Sequence, residues 1–169
     1  MIYMLIIIYL ISLRLLELMI AKSNARYQVE RGGVEIKESY YPLIVLTHIL
    51  FLISLISESY LSHGFETPFS ITFFLIFVTL QLLRIWVILS LGRAWNTKVI
   101  VNPNEGLLVR NGLYRYIKHP NYWIVFLELV FIPLLFSAYW TAMVFPVLHV
   151  LLMLKRIPVE NEALRRYLS

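Results

Sequence analysis

Long apolar runs separated by short polar segments dominate the pattern along this chain. Residues 1–21, 39–57 and 67–92 are each long and apolar enough for one membrane-spanning helix, which needs about 20 residues. A polar segment containing glycine and proline follows at residues 93–119, and the chain is apolar again over residues 121–154. This pattern predicts a helical membrane protein, because a soluble helix would show polar residues on one face of every turn.

The last apolar run, residues 121–154, is too long for one span and slightly short for two. As a helix rising about 1.5 Å per residue it reaches about 51 Å, against about 60 Å for two full crossings. Pro120 suits the first turn of a helix, and a tight turn near Ser137–Ala138 would divide the run. With basic side chains snorkelling at the far end, we predict a short helical hairpin with spans at residues 120–136 and 139–155.

The basic residues are distributed in a way that supports five spans. Apart from two arginines inside predicted spans, every lysine and arginine lies in residues 22–37, 93–119 or 155–169. The remaining loop and the hairpin turn contain none, and basic loops of membrane proteins face the cytoplasm. We therefore predict one domain, residues 1–169, that is an all-α bundle of about five transmembrane helices. Its N-terminus is outside, and residues 93–119 and 156–169 are cytoplasmic.

Composition excludes several classes of protein and site. The chain is 60% hydrophobic and 15% charged, whereas an ordinary soluble domain is about 45–50% apolar and about 25% charged. No cysteine is present, which excludes disulfides, thiolate nucleophiles and cysteine-ligated metals. The histidines share no metal-ligand spacing, and no glycine-rich dinucleotide or phosphate motif occurs. The net charge of +5 does not indicate nucleic-acid binding, because the bases lie between apolar runs. We expect no metal and no nucleic-acid partner.

Charged side chains inside the predicted spans invite two interpretations. Arg14 and Glu17 are three residues apart and can pair on one helix face, whereas Arg84 and Glu128 need partners elsewhere in the bundle. Buried charges are normally paired, which favours interhelical ion pairs that fix the bundle. Ionisable groups at membrane depth also line wet cavities, so a polar wall of a substrate cavity is the second interpretation. We expect His149, which is alone in its span, to be a hydrogen-bonded interior residue.

The segment before the predicted hairpin carries the most chemical information. Residues 112–122 read Gly-Leu-Tyr-Arg-Tyr-Ile-Lys-His-Pro-Asn-Tyr, and residues 156–164 read Arg-Ile-Pro-Val-Glu-Asn-Glu-Ala-Leu. Interfacial tyrosine belts are one explanation for the aromatic residues, and a binding loop on a rigid scaffold is another. The order of these residues resembles the isoprenylcysteine carboxyl methyltransferase family of membrane enzymes. The resemblance covers the chain from about Leu91 to the C-terminus.

This resemblance implies a methyltransferase that uses S-adenosylmethionine without a Rossmann domain. It implies that Arg156 binds the substrate and that Arg156 and Glu160 form the catalytic pair. Pro158 lies between them and predicts a break or a kink in their helix. The cofactor contacts that the resemblance implies are Leu107, Leu108, Val109, Tyr114, His119, Pro120, Asn121, Tyr122 and Glu160.

Three positions depart from the family pattern. Lys118 stands where arginine is usual, Ile124 where glycine is common, and Asn161 where a second glutamate often follows the first. These departures argue against assuming the eukaryotic substrate. The resemblance to small bacterial members implies a bacterial cell membrane location with the active site facing the cytoplasm.

The residue types also suit methylation of an acid. Methyl transfer from a sulfonium to an anion consumes one positive and one negative charge, so a poorly solvated site favours it. An acid with a pKa of about 4 is already ionised at neutral pH, which leaves alignment as the main task of the protein. We expect a lipophilic carboxylate or enol as substrate, such as a long-chain alkylpyrone or a prenylcysteine-like acid, and membrane lipids as surroundings. The alternatives are phospholipid amine N-methylation, an NADPH-dependent lipid or steroid-type reductase, and a non-catalytic membrane scaffold.

Overall fold

The computed structural model describes residues 2–66, 68–103 and 112–168. Within these ranges the chain forms five α-helices and one two-stranded antiparallel sheet, in which Val34 pairs with Val101. The elements are α1 Ile2–Glu30, β1 Val34–Glu35, α2 Tyr41–His63, α3 Ile71–Leu91, β2 Ile100–Val101, α4 Pro120–Leu135 and α5 Tyr139–Leu168. Leu107, Leu108 and Val109, which are predicted cofactor contacts, lie outside the described residues.

The prediction of an all-α membrane bundle is confirmed. Helices α1, α2, α3 and α5 are long and apolar enough to cross a membrane, and α4 is a shorter apolar helix. Their outward surfaces carry large apolar side chains such as Leu61, Leu89 and Met19, which are 81%, 73% and 70% exposed. Apolar surface on this scale is stable in a lipid environment and would aggregate in water.

The predicted helical hairpin is also confirmed. Helix α4 begins at Pro120 and ends at Leu135, and Ser137 adopts a left-handed conformation with φ of 56°. The Ala138 amide donates to the Pro133 carbonyl at 2.9 Å, which closes the turn before α5. A proline near the end of a helix and a residue with positive φ directly after it are ordinary means of ending a helix.

The start of α5 is capped by a carboxylate from another helix. Glu58 on α2 accepts hydrogen bonds from the Trp140 amide at 2.8 Å and from the Thr141 amide at 2.8 Å. The Thr141 hydroxyl donates to the same carboxylate at 2.7 Å. The first amides of a helix have no partner within it and carry a partial positive charge, so this contact stabilises α5 and joins it to α2.

Two long helices extend past the predicted ends of their spans. Helix α1 continues to Glu30, and α5 continues to Leu168 through both Pro146 and Pro158. Of the predicted break or kink at Pro158, the break is therefore wrong, since the helix continues through this residue. The turns beyond Pro158 are held by packing, because Ala163 is buried against the strand region next to α5. Such tertiary contacts offset the hydrogen bond that a proline removes.

The charged residues of the spans form one four-membered cluster, which we call the charge quartet: Arg14, Glu17, Arg84 and Glu128. Arg14 donates to Glu17 at 2.8 Å and to Glu128 at 2.8 Å. Arg84 donates to Glu128 at 3.0 Å and also pairs with Glu17. The interpretation as interhelical ion pairs is confirmed, since the quartet joins α1, α3 and α4 and its formal charges cancel.

Candidate active site

One cavity of about 780 Å³ lies between α1, α2, α5 and the segment that connects α3 to α4. Most of the predicted site residues that the structure describes contribute to its wall, namely Tyr114, His119, Asn121, Tyr122, Arg156 and Glu160. Pro120 is fully buried at the first position of α4 and is absent from this wall. Folding thus brings together residues of the 112–122 motif and of α5 that are distant in the sequence.

A hydrogen-bonded group connects the start of α4 to α5. The Tyr122 hydroxyl donates to Glu160 at 2.5 Å, and the His119 ring stacks on the Tyr122 ring with 5.5 Å between centroids. His119 Nδ1 lies 3.7 Å from Glu160, and His119 Nε2 lies 3.2 Å from the side-chain oxygen of Asn161. Asn161, one of the departures from the family pattern, therefore takes part in orienting the histidine.

Arg156 is held in place by contacts from three other segments. Its Nη2 donates to the Thr97 carbonyl at 2.6 Å, and its guanidinium carbon lies 5.7 Å from the centre of the Tyr122 ring. Its Nε lies 3.7 Å from Glu38 Oε1. The residue is only 6% exposed although it lines the cavity, so its charge acts in a poorly solvated place.

Glu38 is a member of this site that sequence reasoning missed. It lies in the loop between β1 and α2, and its side chain is 2% exposed. Burial raises the pKa of its carboxyl above the ordinary value; Arg156 opposes this shift, and Glu160 and Glu35 add to it. No motif marks a single glutamate in a polar loop, so only the packing of that loop against α5 identifies it.

Burial also keeps the Tyr114 hydroxyl in its neutral form. It raises the pKa of Tyr114 well above the ordinary value, and the negative charge of Glu160 raises it further. Tyr114 lies in the short 3-10 turn Gly112–Arg115 at the cavity wall. It can therefore serve as a hydrogen-bond donor over the whole physiological pH range.

Two buried amides on α1 fasten the turn that follows α3. Asn24 Nδ2 donates to the Trp95 carbonyl at 2.8 Å and to the Gly92 carbonyl at 3.2 Å. Gln28 Nε2 donates to the Arg93 carbonyl at 2.7 Å. These contacts satisfy backbone oxygens that would otherwise be buried without partners. The sequence offered only a weak signal for them, a polar pair one helical turn apart beyond the end of the predicted span.

The cavity continues from the motif residues into the span region. Arg14, Glu17 and Arg84 of the charge quartet line it, together with His48. The same residues thus form ion pairs and a polar part of the cavity wall, which is the second interpretation of these charges. His149 Nε2 lies 3.1 Å from the Tyr122 carbonyl, which agrees with its expected role as a hydrogen-bonded interior residue. Among the described residues, no three histidine or acidic side chains are grouped closely enough to hold a metal ion.

Comparison with known proteins decides the family. The model of the isoprenylcysteine carboxyl methyltransferase family matches residues 71–166, more than half of the chain. This chain belongs to that family. The match begins with the first residue of α3 and includes both motifs, so the predicted resemblance is confirmed and reaches further towards the N-terminus. The protein is accordingly an integral membrane methyltransferase.

Two bacterial proteins match nearly the whole chain. The chain is 38% identical over 165 residues to the uncharacterized protein YpbQ of Bacillus subtilis, with 98% of each chain covered. It is 24% identical over 157 residues to an uncharacterized protein of Haemophilus influenzae, with 92% of this chain and 90% of that one covered. No solved structure matches this chain. Neither of these two relatives has a name that states a methyl acceptor.

Proposed function

We propose that this methyltransferase transfers a methyl group from S-adenosylmethionine to an acidic oxygen of a lipophilic acceptor. The observation that carries the proposal is the position of Arg156, a nearly buried cation in the wall of a cavity that extends between apolar helices. A fixed cation in such a place binds an anionic oxygen strongly, because little water screens the interaction. The apolar helices around it suit the chain of a lipid.

The described residues fit the proposed cofactor. Tyr114 and His119 offer aromatic faces in the cavity wall for adenine, and Tyr122 stacks on His119 and holds it in place. Glu160 offers a carboxylate for a cationic or hydroxyl group. Asn121 Oδ1 is buried with no hydrogen-bond partner in the part of the chain described, so it can accept from a ligand. When bound, S-adenosylmethionine supplies an electrophilic methyl on a sulfonium. We propose that Leu107, Leu108 and Val109 complete the contacts.

The acceptor is proposed to lie between Arg156 and the apolar part of the cavity. Ile44, Ile49, Leu52 and Val125 line that part and suit an alkyl or prenyl chain. Arg156 holds the acidic group and is itself held by the Thr97 carbonyl, which limits its motion. The role of these residues is to align the acceptor oxygen with the methyl and to exclude water. A long-chain alkylpyrone or a prenylcysteine-like acid meets this description.

The proposed orientation of the protein in the membrane follows from the distribution of its basic residues. We propose that the protein resides in a bacterial cell membrane with the cavity open towards the cytoplasm. The segments that carry the basic residues outside the spans include 93–119 and 155–169, which contribute much of the cavity wall. The positive-inside rule places such segments on the cytoplasmic side.

The test is methyl transfer from labelled S-adenosylmethionine by purified protein. Two acceptors are offered separately, a long-chain alkylpyrone and N-acetyl-S-farnesylcysteine. We expect Arg156→Ala to lower kcat/KM for the acceptor by about 100-fold, because it removes a charged hydrogen bond, while cofactor affinity stays within about twofold. Glu160→Gln should weaken cofactor binding by about tenfold.

Trp140→Phe serves as the matched control, because Trp140 is 72% exposed at the far end of α5 from Arg156. A wild-type protein that binds NADPH and no S-adenosylmethionine would overturn the proposal in favour of a reductase. Absence of affinity for either cofactor would indicate a scaffold.

A further inference from the structure

Two buried hydrogen-bond donors in the segment after α3 have no partner among the described residues. They are Trp95 Nε1 and Asn96 Nδ2. Trp95 is 2% exposed, and an indole N–H can only donate. The Lys98 amide donates to Asn96 Oδ1 at 3.1 Å, which assigns the oxygen of that side chain and leaves its NH₂ group free. Buried donors rarely stay unpaired in a native protein, so these two point to a ligand.

Trp95 and Asn96 both line the cavity that Arg156 lines. The following residue, Thr97, accepts the hydrogen bond from Arg156 Nη2 at 2.6 Å. Arg156 Nε is a third buried donor without a hydrogen-bond partner. Asn24 fixes the backbone of this segment through the Trp95 carbonyl at 2.8 Å, so the backbone that carries the donors is in place before any ligand binds.

A group of N–H donors selects the chemistry of its ligand. Oxygen lone pairs can accept from all three, whereas an amine would bring further N–H groups and repel them. One oxygen accepts from one or two donors. Three donors on three different side chains are therefore better satisfied by two oxygens of one conjugated group. Carboxylates and enolates conjugated to a carbonyl both have that form.

We propose that Trp95 and Asn96 bind the second oxygen of the acceptor while Arg156 binds the first, so that the acceptor is a carboxylate or an enol conjugated to a carbonyl. This inference rests on the proposed function and adds the residues that bind the second oxygen of the acceptor. It assigns substrate-binding roles to two residues outside both sequence motifs, and it excludes the amine of a phospholipid as acceptor.

The experiment compares Trp95→Phe and Asn96→Asp with wild-type protein. Trp95→Phe keeps an aromatic ring and removes the N–H donor, and Asn96→Asp keeps the oxygen that accepts from the Lys98 amide. With the long-chain alkylpyrone as probe, we expect each variant to lower kcat/KM for the acceptor by about tenfold or more. Affinity for S-adenosylmethionine, measured by equilibrium dialysis, should stay within about twofold, which also shows that the variants are folded.

Three outcomes would overturn the inference. Wild-type acceptor kinetics in both variants would show that the donors bind nothing in the reaction. A loss of S-adenosylmethionine affinity with unchanged acceptor KM would assign the donors to the cofactor. Methylation of phosphatidylethanolamine by the wild-type protein would show that an amine is accepted. In the first two cases methyl transfer to an acidic oxygen by the wild type still stands. Methylation of phosphatidylethanolamine, or no methyl transfer at all, overturns the proposed function itself.

Discussion

At the scale of single residues, the environment of Arg156 combines one fixed cation with two carboxylates. Glu38 lies 3.7 Å from its Nε, and Glu160 accepts a hydrogen bond from the hydroxyl of Tyr122, whose ring Arg156 covers. The anionic acceptor that we propose would therefore bind close to existing negative charge. The raised pKa of Glu38, caused mainly by burial, reduces this repulsion because the carboxyl takes up a proton more readily than an exposed one.

The pKa of Glu38 predicts a pH-dependent stability. The folded chain holds this proton more tightly than the unfolded chain, so the stability it contributes is present below the ordinary carboxyl pKa and is lost as pH rises through the raised value. The groups that face Glu38 are Arg156, Glu160 and Glu35. We expect Glu38→Gln to gain stability relative to wild type as pH rises from about 4 to about 7.

Thermal unfolding of the detergent-solubilised protein at several pH values measures this difference. Glu162→Gln is the control, because Glu162 is exposed on the same helix as Arg156. A difference between wild type and Glu38→Gln that stays constant with pH would contradict the predicted pKa.

At the scale of helices, the charge quartet determines how α1, α3 and α4 meet. Each arginine contacts both carboxylates, so no helix can shift along its neighbour without separating a charge pair. Gln81 adds a hydrogen bond to Glu128 at 3.0 Å. Apolar packing in lipid gives little directional preference, and polar contacts of this kind supply it.

Removal of one charge from the quartet should destabilise the bundle strongly. Glu128→Gln leaves two arginines with a single carboxylate, and an uncompensated buried charge costs about 3–5 kcal/mol. The double variant Arg84→Gln with Glu128→Gln restores neutrality and keeps the Arg14–Glu17 pair, so we expect a smaller loss than in the single variant. Thermal unfolding in detergent measures both, with Glu30→Gln as the exposed control on α1. Equal losses in the single and double variants would contradict this account.

At the scale of the whole molecule, the two ends of the bundle differ in charge and in chemistry. The sheet, the motif residues and the end of α5 lie around one end of the cavity, and the basic segments belong to that end. The Glu58 cap and the Ser137 turn join the helices at the other end. The end with the sheet and the motif residues therefore forms the candidate active site, and the end with Glu58 and Ser137 connects helices.

This asymmetry predicts the orientation in the membrane, and the absence of cysteine makes it directly measurable. Ser62→Cys, near the end of α2, should react with a membrane-impermeant maleimide added to intact cells. Lys37→Cys, in the loop before α2, should react only after permeabilisation. Both positions are exposed, so access to the reagent depends on the side of the membrane alone. The reverse labelling pattern would contradict the proposed orientation.

The sequence by itself determined the class of protein, the hairpin and the family. Each of these depends on local information. A run of apolar residues forms a span wherever it lies, Pro120 begins a helix by its own geometry, and the His119–Tyr122 box is contiguous in the chain. The local preference of proline predicted a break or a kink at Pro158, and the helix does not break there, because the packing of Ala163 holds the turns that follow.

Only the tertiary structure decided which distant residues meet. Glu38 beside Arg156, Asn24 beneath the Trp95 carbonyl, and Arg84 between two carboxylates are contacts between segments far apart in the chain. The sequence next to each of these polar residues gives no sign of its partner. These polar groups lose their water when they are buried, and each then needs a partner or a ligand. That loss occurs only when the helices pack, so the sequence alone does not reveal it.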